Sequence, residues 1–133
     1  SSEPPADFPP SGARHPAALE RIAHAVCSLN DGVEMFSLLG AKETASGRAP
    51  DHRWVELAWP GPGRILLMSP TSDAGELVGH LGDRTGRIHH LAFTCAQPER
   101  IPRARRMGDG TYVIQPIDNL GTRLILSPDS VVT

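Results

Sequence analysis

The feature that most constrains this chain is an echo within it. "RIAHAVC" at residues 21–27 returns as "RIHHLAF" at 87–93, and "GRILLMSP" at 63–70 returns as "GTRLILSP" at 121–128. The fragments keep their order, with offsets of 66 residues (87 − 21) and 58 residues (121 − 63). Two copies at a period above about 50 residues make a duplicated supersecondary unit rather than a solenoid, and the second copy is the shorter. In this register His24 corresponds to His90, not to His89.

Each copy reads as strand, helix and a closing hairpin. "ALERIAHAVCSL" is a first strand. "NDGVEMFSLLGA" is a short helix with Asn30 or Asp31 as N-cap, Val33, Phe36 and Leu39 at spacings of three, and Gly40 as the C-terminal stop. "HRWVELAW" and "GRILLMSP" flank the turn "PGPG" as an antiparallel hairpin. "TSDAGELVGHLGDRTG" is a helical linker capped by Asp or Ser, and "RIHHLAFTC" opens the second copy. There "QPERIPRARRM" is a weak helix interrupted by Pro102, and "TYVIQP" and "GTRLILSP" close the unit around "IDNLG". Pairing of two such units sets their first strands in equivalent places around one cavity, with His24 and His90 facing each other. Adjacent strand residues point to opposite faces, so His89 is expected on the far side, as a packing or hydrogen-bonding residue.

Composition narrows the function classes. A length of 133 residues suits one domain with a real core. A net charge of −2 gives no global basic field for nucleic acid or anionic membrane, and no run reaches the length of a membrane span. Cys27 and Cys95 are too few for a disulfide scaffold and read as buried small hydrophobes in a reducing compartment. The expected location is the cytoplasm. Residues 1–16 hold five prolines and little that can bury, and read as a disordered leader. Residues 17–133 form the expected domain, with modules at about 20–70 and 87–128.

The β-α-β-β-β duplication, the strand-opening histidine in each half and "SPTSDAGELVGHLGDRTGRIHHLAF" resemble the vicinal oxygen chelate (glyoxalase/bleomycin-resistance) superfamily. The last stretch is most similar to methylmalonyl-CoA epimerases, in which a Pro-Thr-Ser segment leads through a short helix into a His-His strand. The resemblance covers roughly residues 20–128. It implies an α+β fold: two tandem β-α-β-β-β modules, the second shortened, form a curved mixed sheet around one shared cavity. It also implies a metal site with His24 and His90 as its histidines and a Glu or Gln in the last strand of each half. Here those last places fall on Leu66 or Leu67 and on Leu124 or Ile125. Two histidines without a carboxylate make a poor divalent site, so no cofactor is expected. A divalent ion on His24 and His90 is the alternative. The acid/base segment of the epimerases falls on "APDHRW", where Asp51 is the nearest counterpart and His52 its neighbour.

Each candidate has a structural reading beside the chemical one. Asp51 is either a base or a turn residue beside Pro50. Glu56 is an inward base or an outward solvated side chain, since alternation groups it with Trp54 and Ala58 without choosing a face. Gln115 either turns inward or lies on a solvated edge. Arg100, Arg103, Arg105 and Arg106 are a solvated face or a phosphate contact. Trp54 and Trp59 line the cavity or simply pack.

The resulting expectation is a small enzyme of the glyoxalase/epimerase type, an epimerase, isomerase or lyase that moves a proton next to a carbonyl with a degenerate metal site. His90 and His24 would stabilise the enolate, and Asp51 or Glu56 would act as base. The alternative is a non-catalytic protein of the same fold that binds a drug or metabolite, which the aliphatic residues at the old carboxylate places favour. Partners are expected among small carbonyl metabolites, acyl-CoA included, and a homodimer is compatible with the pattern.

Overall fold

The computed structural model describes residues 17–128; the Pro-rich stretch expected as a leader lies outside the described residues. The first half runs β1 (Ala17–Val26), α1 (Leu29–Leu38), β2 (Lys42–Arg48), β3 (His52–Ala58) and β4 (Arg64–Pro70). The linker helix α2 (Glu76–Leu81) follows. The second half runs β5 (Gly86–Cys95), β6 (Arg105–Arg106), β7 (Tyr112–Ile114) and β8 (Arg123–Pro128). The eight strands form one mixed sheet in the order β2-β3-β4-β1-β5-β8-β7-β6.

That order is a palindrome of two modules, joined where β1 and β5 run antiparallel. In each module the last strand lies parallel to the first, β4 on β1 and β8 on β5. The expected approximate twofold is therefore present, but its register differs from the echo. The axis passes through the pair Ile22–Leu91, an offset of 69 residues (91 − 22). It carries Ala23–His90 onto Arg21–Ala92 and His24–Ile88 onto Leu19–Phe93. Two bulges obey the same offset. Glu20 is the extra residue on β1 and His89 the extra residue on β5, 69 positions later (89 − 20). The sequence echo is thus three residues out of structural register. His90 corresponds to Arg21, and His24 to Phe93.

The first module has a helix to bury its convex face. Ser28, not Asn30 or Asp31, is the N-cap of α1, its side chain accepting from the Asp31 N–H at 3.1 Å. Gly40, with φ +100°, ends the helix as expected. Val33 and Phe36 pack on Leu29, Val55, Leu57, Ile65 and Leu67. Trp59 joins this core, edge-on to Phe36, with its Nε1 donating to the Leu39 carbonyl at 2.9 Å. Cys95 is buried as expected, whereas Cys27 is exposed because it lies where the chain leaves β1.

The second module is reduced at the corresponding places. The weak helix is only a three-residue turn, Pro98–Arg100, with Pro102 lacking the N–H that would extend it. Strand β6 keeps only Arg105 and Arg106, both exposed. A smaller core of Cys95, Ile114 and Leu126 remains, backed by Phe93, Ile101 and Tyr112.

Helix α2 lies across the other face. Its Leu77 and Leu81 pack on Ala23, Ala25 and Met68, closing one end of the concavity. It starts at Gly75 with φ +120° and no side-chain cap, so neither Asp nor Ser caps it as expected.

Candidate active site

The concave face carries a row of side chains one strand apart. Glu56, Leu66, Ala23, His90 and Arg123 are successive Cα partners on β3, β4, β1, β5 and β8. Cross-strand partners share a face of the sheet. Arg21, two residues before Ala23, stands on the same face, diagonal to His90. A cavity of about 400 Å³ opens here, lined by Arg21, His52, Trp54, Glu56 and Leu66. A larger groove of about 550 Å³ runs along α1 on the convex side, but none of these paired polar groups reaches it except through Trp54.

Alternation in β3 sends His52, Trp54 and Glu56 to the cavity and Val55 and Leu57 to the core. Glu56 accepts a hydrogen bond from Thr44 Oγ1 at 3.0 Å. Trp54 leans over β2 because Gly47 is there. A Cβ at Gly47 would come within 2.7 Å of the indole. Asp51 does not line the cavity. Its Oδ1 accepts from His52 Nδ1 at 2.7 Å, so it orients the histidine that does.

The two histidines singled out by the echo are not brought together. His24 pairs with Ile88 and Leu67 on the helix-covered face, one residue out of phase with Ala23. His90 is on the cavity face and 7% exposed. His89 corrects the alternation rule. As the extra residue of the bulge it turns to the same side as His90, with the two Nδ1 atoms 2.8 Å apart. Its Nε2 meets both carboxylate oxygens of Glu76, at 3.1 and 3.0 Å. His80 packs edge-on against it, ring centroids 4.9 Å apart.

Two buried polar atoms on this face, His90 Nε2 and Arg21 Nε, have no hydrogen-bond partner among the described residues. Burial lowers the His90 pKa to about 4, helped by His89, Arg21 and Arg123 and opposed by Glu76. Its ring is therefore neutral near pH 7. His24 and His80 are also pushed down, chiefly by burial. Arg123 donates to Gln115 Oε1 at 3.4 Å and lies 3.9 Å from Glu76 Oε2.

This donor set does not fit a divalent ion. Of the aliphatic residues at the expected carboxylate places, Leu66 and Ile125 face the cavity, paired with Ala23 and Ala92, while Leu67 and Leu124 lie on the other face. Two guanidiniums, Arg21 and Arg123, act on His90, and they repel a cation and attract an oxyanion. Among the described residues no three His, Cys, Asp or Glu side chains gather as a metal-binding group. Nor is any helix among them long and apolar enough to cross a membrane.

Sequence reasoning missed Arg21, Arg123, His52 and Glu76 as site residues. Arg21 was visible as the first letter of the repeated "RI", but its direction depends on the bulge at Glu20. Glu76 belongs to the linker helix, whose place on the concave face no local pattern encodes.

No protein-family model matches the sequence, and no curated protein matches it. Solved structures do match. The methylmalonyl-CoA epimerase of Mycobacterium tuberculosis is 24% identical, with a TM-score of 0.65 over 86% of this chain and 89% of that one. A hypothetical protein from Bacillus halodurans C-125 is 19% identical, with a TM-score of 0.67 over 86% and 95%. A Streptomyces coelicolor methylmalonyl-CoA epimerase in complex with 2-nitronate-propionyl-CoA is 19% identical, with a TM-score of 0.59 over 84% and 97%. The architecture is that of the vicinal oxygen chelate fold, as the sequence resemblance implied.

Proposed function

We propose that this chain moves a proton at the carbon next to a carbonyl, an epimerase-type reaction run without a metal ion. The observation that carries this reading is the pair of buried, unpartnered atoms on the cavity face, Arg21 Nε and His90 Nε2. One is a fixed donor and the other, in a neutral ring, an acceptor. Burying both unused costs on the order of 1–3 kcal/mol each, which a ligand that uses both recovers. An acidic carbon beside a carbonyl is such a ligand. Its C–H bond breaks toward His90 Nε2, and the electron pair moves onto the carbonyl oxygen. The Arg21 N–H then holds the resulting enolate.

Glu56 supplies the opposite side. Its Cα lies three strand spacings from that of His90, roughly 14 Å, across Leu66, which lines the cavity, and Ala23, which α2 covers. A proton delivered from solvent by way of Glu56 to the far face of the planar enolate inverts the centre. The cavity then resets by exchange with solvent. Asp51 keeps His52 oriented at the rim.

The substrate class in this proposal is a short acyl-CoA thioester with an acidic α-carbon. It is supported by the solved neighbours of the same fold, one described as methylmalonyl-CoA epimerase in complex with methylmalonyl-CoA and NH4+. The test is α-proton exchange. The chelator-treated protein is incubated in D2O with methylmalonyl-CoA and a panel of short 2-substituted acyl-CoAs, and loss of the α-proton signal is followed by NMR. Exchange is expected, and His90→Gln or Glu56→Gln should slow it by about a hundredfold or more. Binding without exchange overturns the reaction. It would favour instead a small-molecule binding protein, the reading that the apolar Leu66 and Ile125 support.

A further inference from the structure

We propose that the convex face carries a second ligand site, which takes the phosphate group of a small phosphomonoester between Arg48 and Arg53. The site uses other residues than the reaction proposed above and does not depend on it. Alternation in β3 sends His52 and Trp54 to the concave cavity, so Arg53 between them points to the helix-covered face with Val55. Arg48 is its Cα partner on β2.

Two arginines directly opposite each other on paired strands repel, an arrangement that costs stability until something neutralises it. Neither takes part in an ion pair among the described residues. Both line a cavity of about 460 Å³ with Ser28, Asn30, Ser69 and Thr71, and no Asp or Glu among the described residues lines it. The carboxylates of the adjoining segments are engaged elsewhere. Asp51 accepts from His52, and Asp31 lines a separate pocket with Gly32 and Thr85.

The other walls add donors to the two guanidiniums. Leu29 and Asn30 open the ten-residue helix α1 and have no intrahelical acceptor for their N–H groups. Ser28 Oγ accepts from the Asp31 N–H at 3.1 Å, which leaves its own hydroxyl proton free to donate. Ser69 Oγ donates to the Cys27 carbonyl at 3.0 Å and so ties the end of β4 to the entry of α1. Guanidiniums present forked N–H pairs that match phosphate oxygens, and the start of a helix favours the same charge.

The groove of about 550 Å³ along α1 continues from this cavity and shares Leu29, Asn30, Arg48 and Arg53 with it. Leu29, Val33 and Val55 give it an apolar floor on which the organic body of an ester can lie. Glu34 and Glu43 line the groove but not the phosphate cavity. A ligand with one anionic end and a neutral or cationic body is therefore favoured over one that is anionic at both ends.

The experiment titrates the full chain at low ionic strength with phenyl phosphate and, separately, with inorganic phosphate. Sodium chloride at matched ionic strength is the control, and Tm and amide shifts in 1H–15N NMR are read together. The expected result is a saturable rise in Tm with phenyl phosphate, a weaker response to inorganic phosphate, and amide shifts at Leu29, Asn30, Arg48 and Arg53. Arg48→Gln and Arg53→Gln should each weaken phenyl phosphate binding about tenfold or more. Arg105→Gln, at the other border of the sheet, should leave it unchanged. Without ligand, the Arg48 and Arg53 variants should melt no lower than the parent, because each removes one of the facing charges. Inorganic phosphate binding as tightly as phenyl phosphate overturns the ester and assigns the cavity to the free ion. A rise that chloride reproduces, or that Arg105→Gln loses as fully as the other two, overturns the site. A ligand-free Tm lowered in both Arg48→Gln and Arg53→Gln overturns it too, since the arginines then serve the fold.

Discussion

The two modules share one strand plan but have divided the work between them. The first keeps a ten-residue helix over a broad apolar core, and offers the cavity a mostly apolar floor with Glu56 and Arg21 upon it. The second has lost that helix and most of a strand, yet it holds His89, His90 and Arg123. The broad apolar core lies where the module is complete, and the histidine pair lies where it is cut down. A duplicated unit can erode in this way because the central β1–β5 pairing lets one half lean on the other.

The sharpest way to break this comparison is to truncate symmetry-related leucines. Leu67 under α1 and Leu126 in the second module are equivalent by the structural twofold, and both are buried. Leu67→Ala should cost about 4 kcal/mol and Leu126→Ala about 2 kcal/mol in denaturant unfolding. Equal losses would mean that the reduced module is no weaker than the complete one.

Acid should probe the second module next. The folded-state pKa of His90, about 4, lies below its ordinary value of 6.5, so between these values the unfolded chain binds a proton that the folded chain does not. Stability is full above pH 6.5 and falls as pH drops toward 4, by up to about 3 kcal/mol. His90→Gln should flatten that slope more than His24→Gln does, although burial lowers His24 in the same direction. A steeper dependence on His24 would place the protonation-sensitive centre in the first module.

Ser28→Ala removes the cap of α1 and should cost about 1 kcal/mol by thermal melt, an effect with no counterpart in the helix-poor second module. The smallest effect is expected from metal. Added Mg2+ or Zn2+ should leave Tm unchanged, since a stabilising ion must prefer the folded state and no three His, Cys, Asp or Glu side chains gather to hold one among the described residues. A saturable rise in Tm that is lost in His90→Gln would restore a metal site to the second module.

Much of the fold was legible in the residues. The repeated fragments marked β1, β4, β5 and β8, "PGPG" marked the β3–β4 hairpin, and the shortened second copy marked the reduced module. Strand β2 was not, because "KETASGR" is exposed throughout and so has no apolar alternation to read. The site was half legible. His90 and Glu56 sit in one cross-strand row on the concave face, but His24 lies behind the sheet, and Asp51 meets the cavity-lining His52 without lining the cavity itself. The cause is the pair of bulges. A bulge belongs to the pairing of two strands, and nothing in "RIHHLAF" by itself says that one residue is extra. Matching letters gave an offset three residues from the one that matching backbones gives.

The outermost strands of the sheet carry a consequence for how the molecule meets its own copies. An unpaired strand edge is an invitation to extend the sheet from one molecule to the next. At one end β2 is charged at both termini by Lys42 and Arg48, and a register shift around Thr44 interrupts its ladder. At the other end β6 is two arginines long. Neither border gives a newcomer a straight, neutral ladder to zip onto. Copies that do meet will do so through side-chain surfaces, and sheet-to-sheet growth into fibres is disfavoured at both ends.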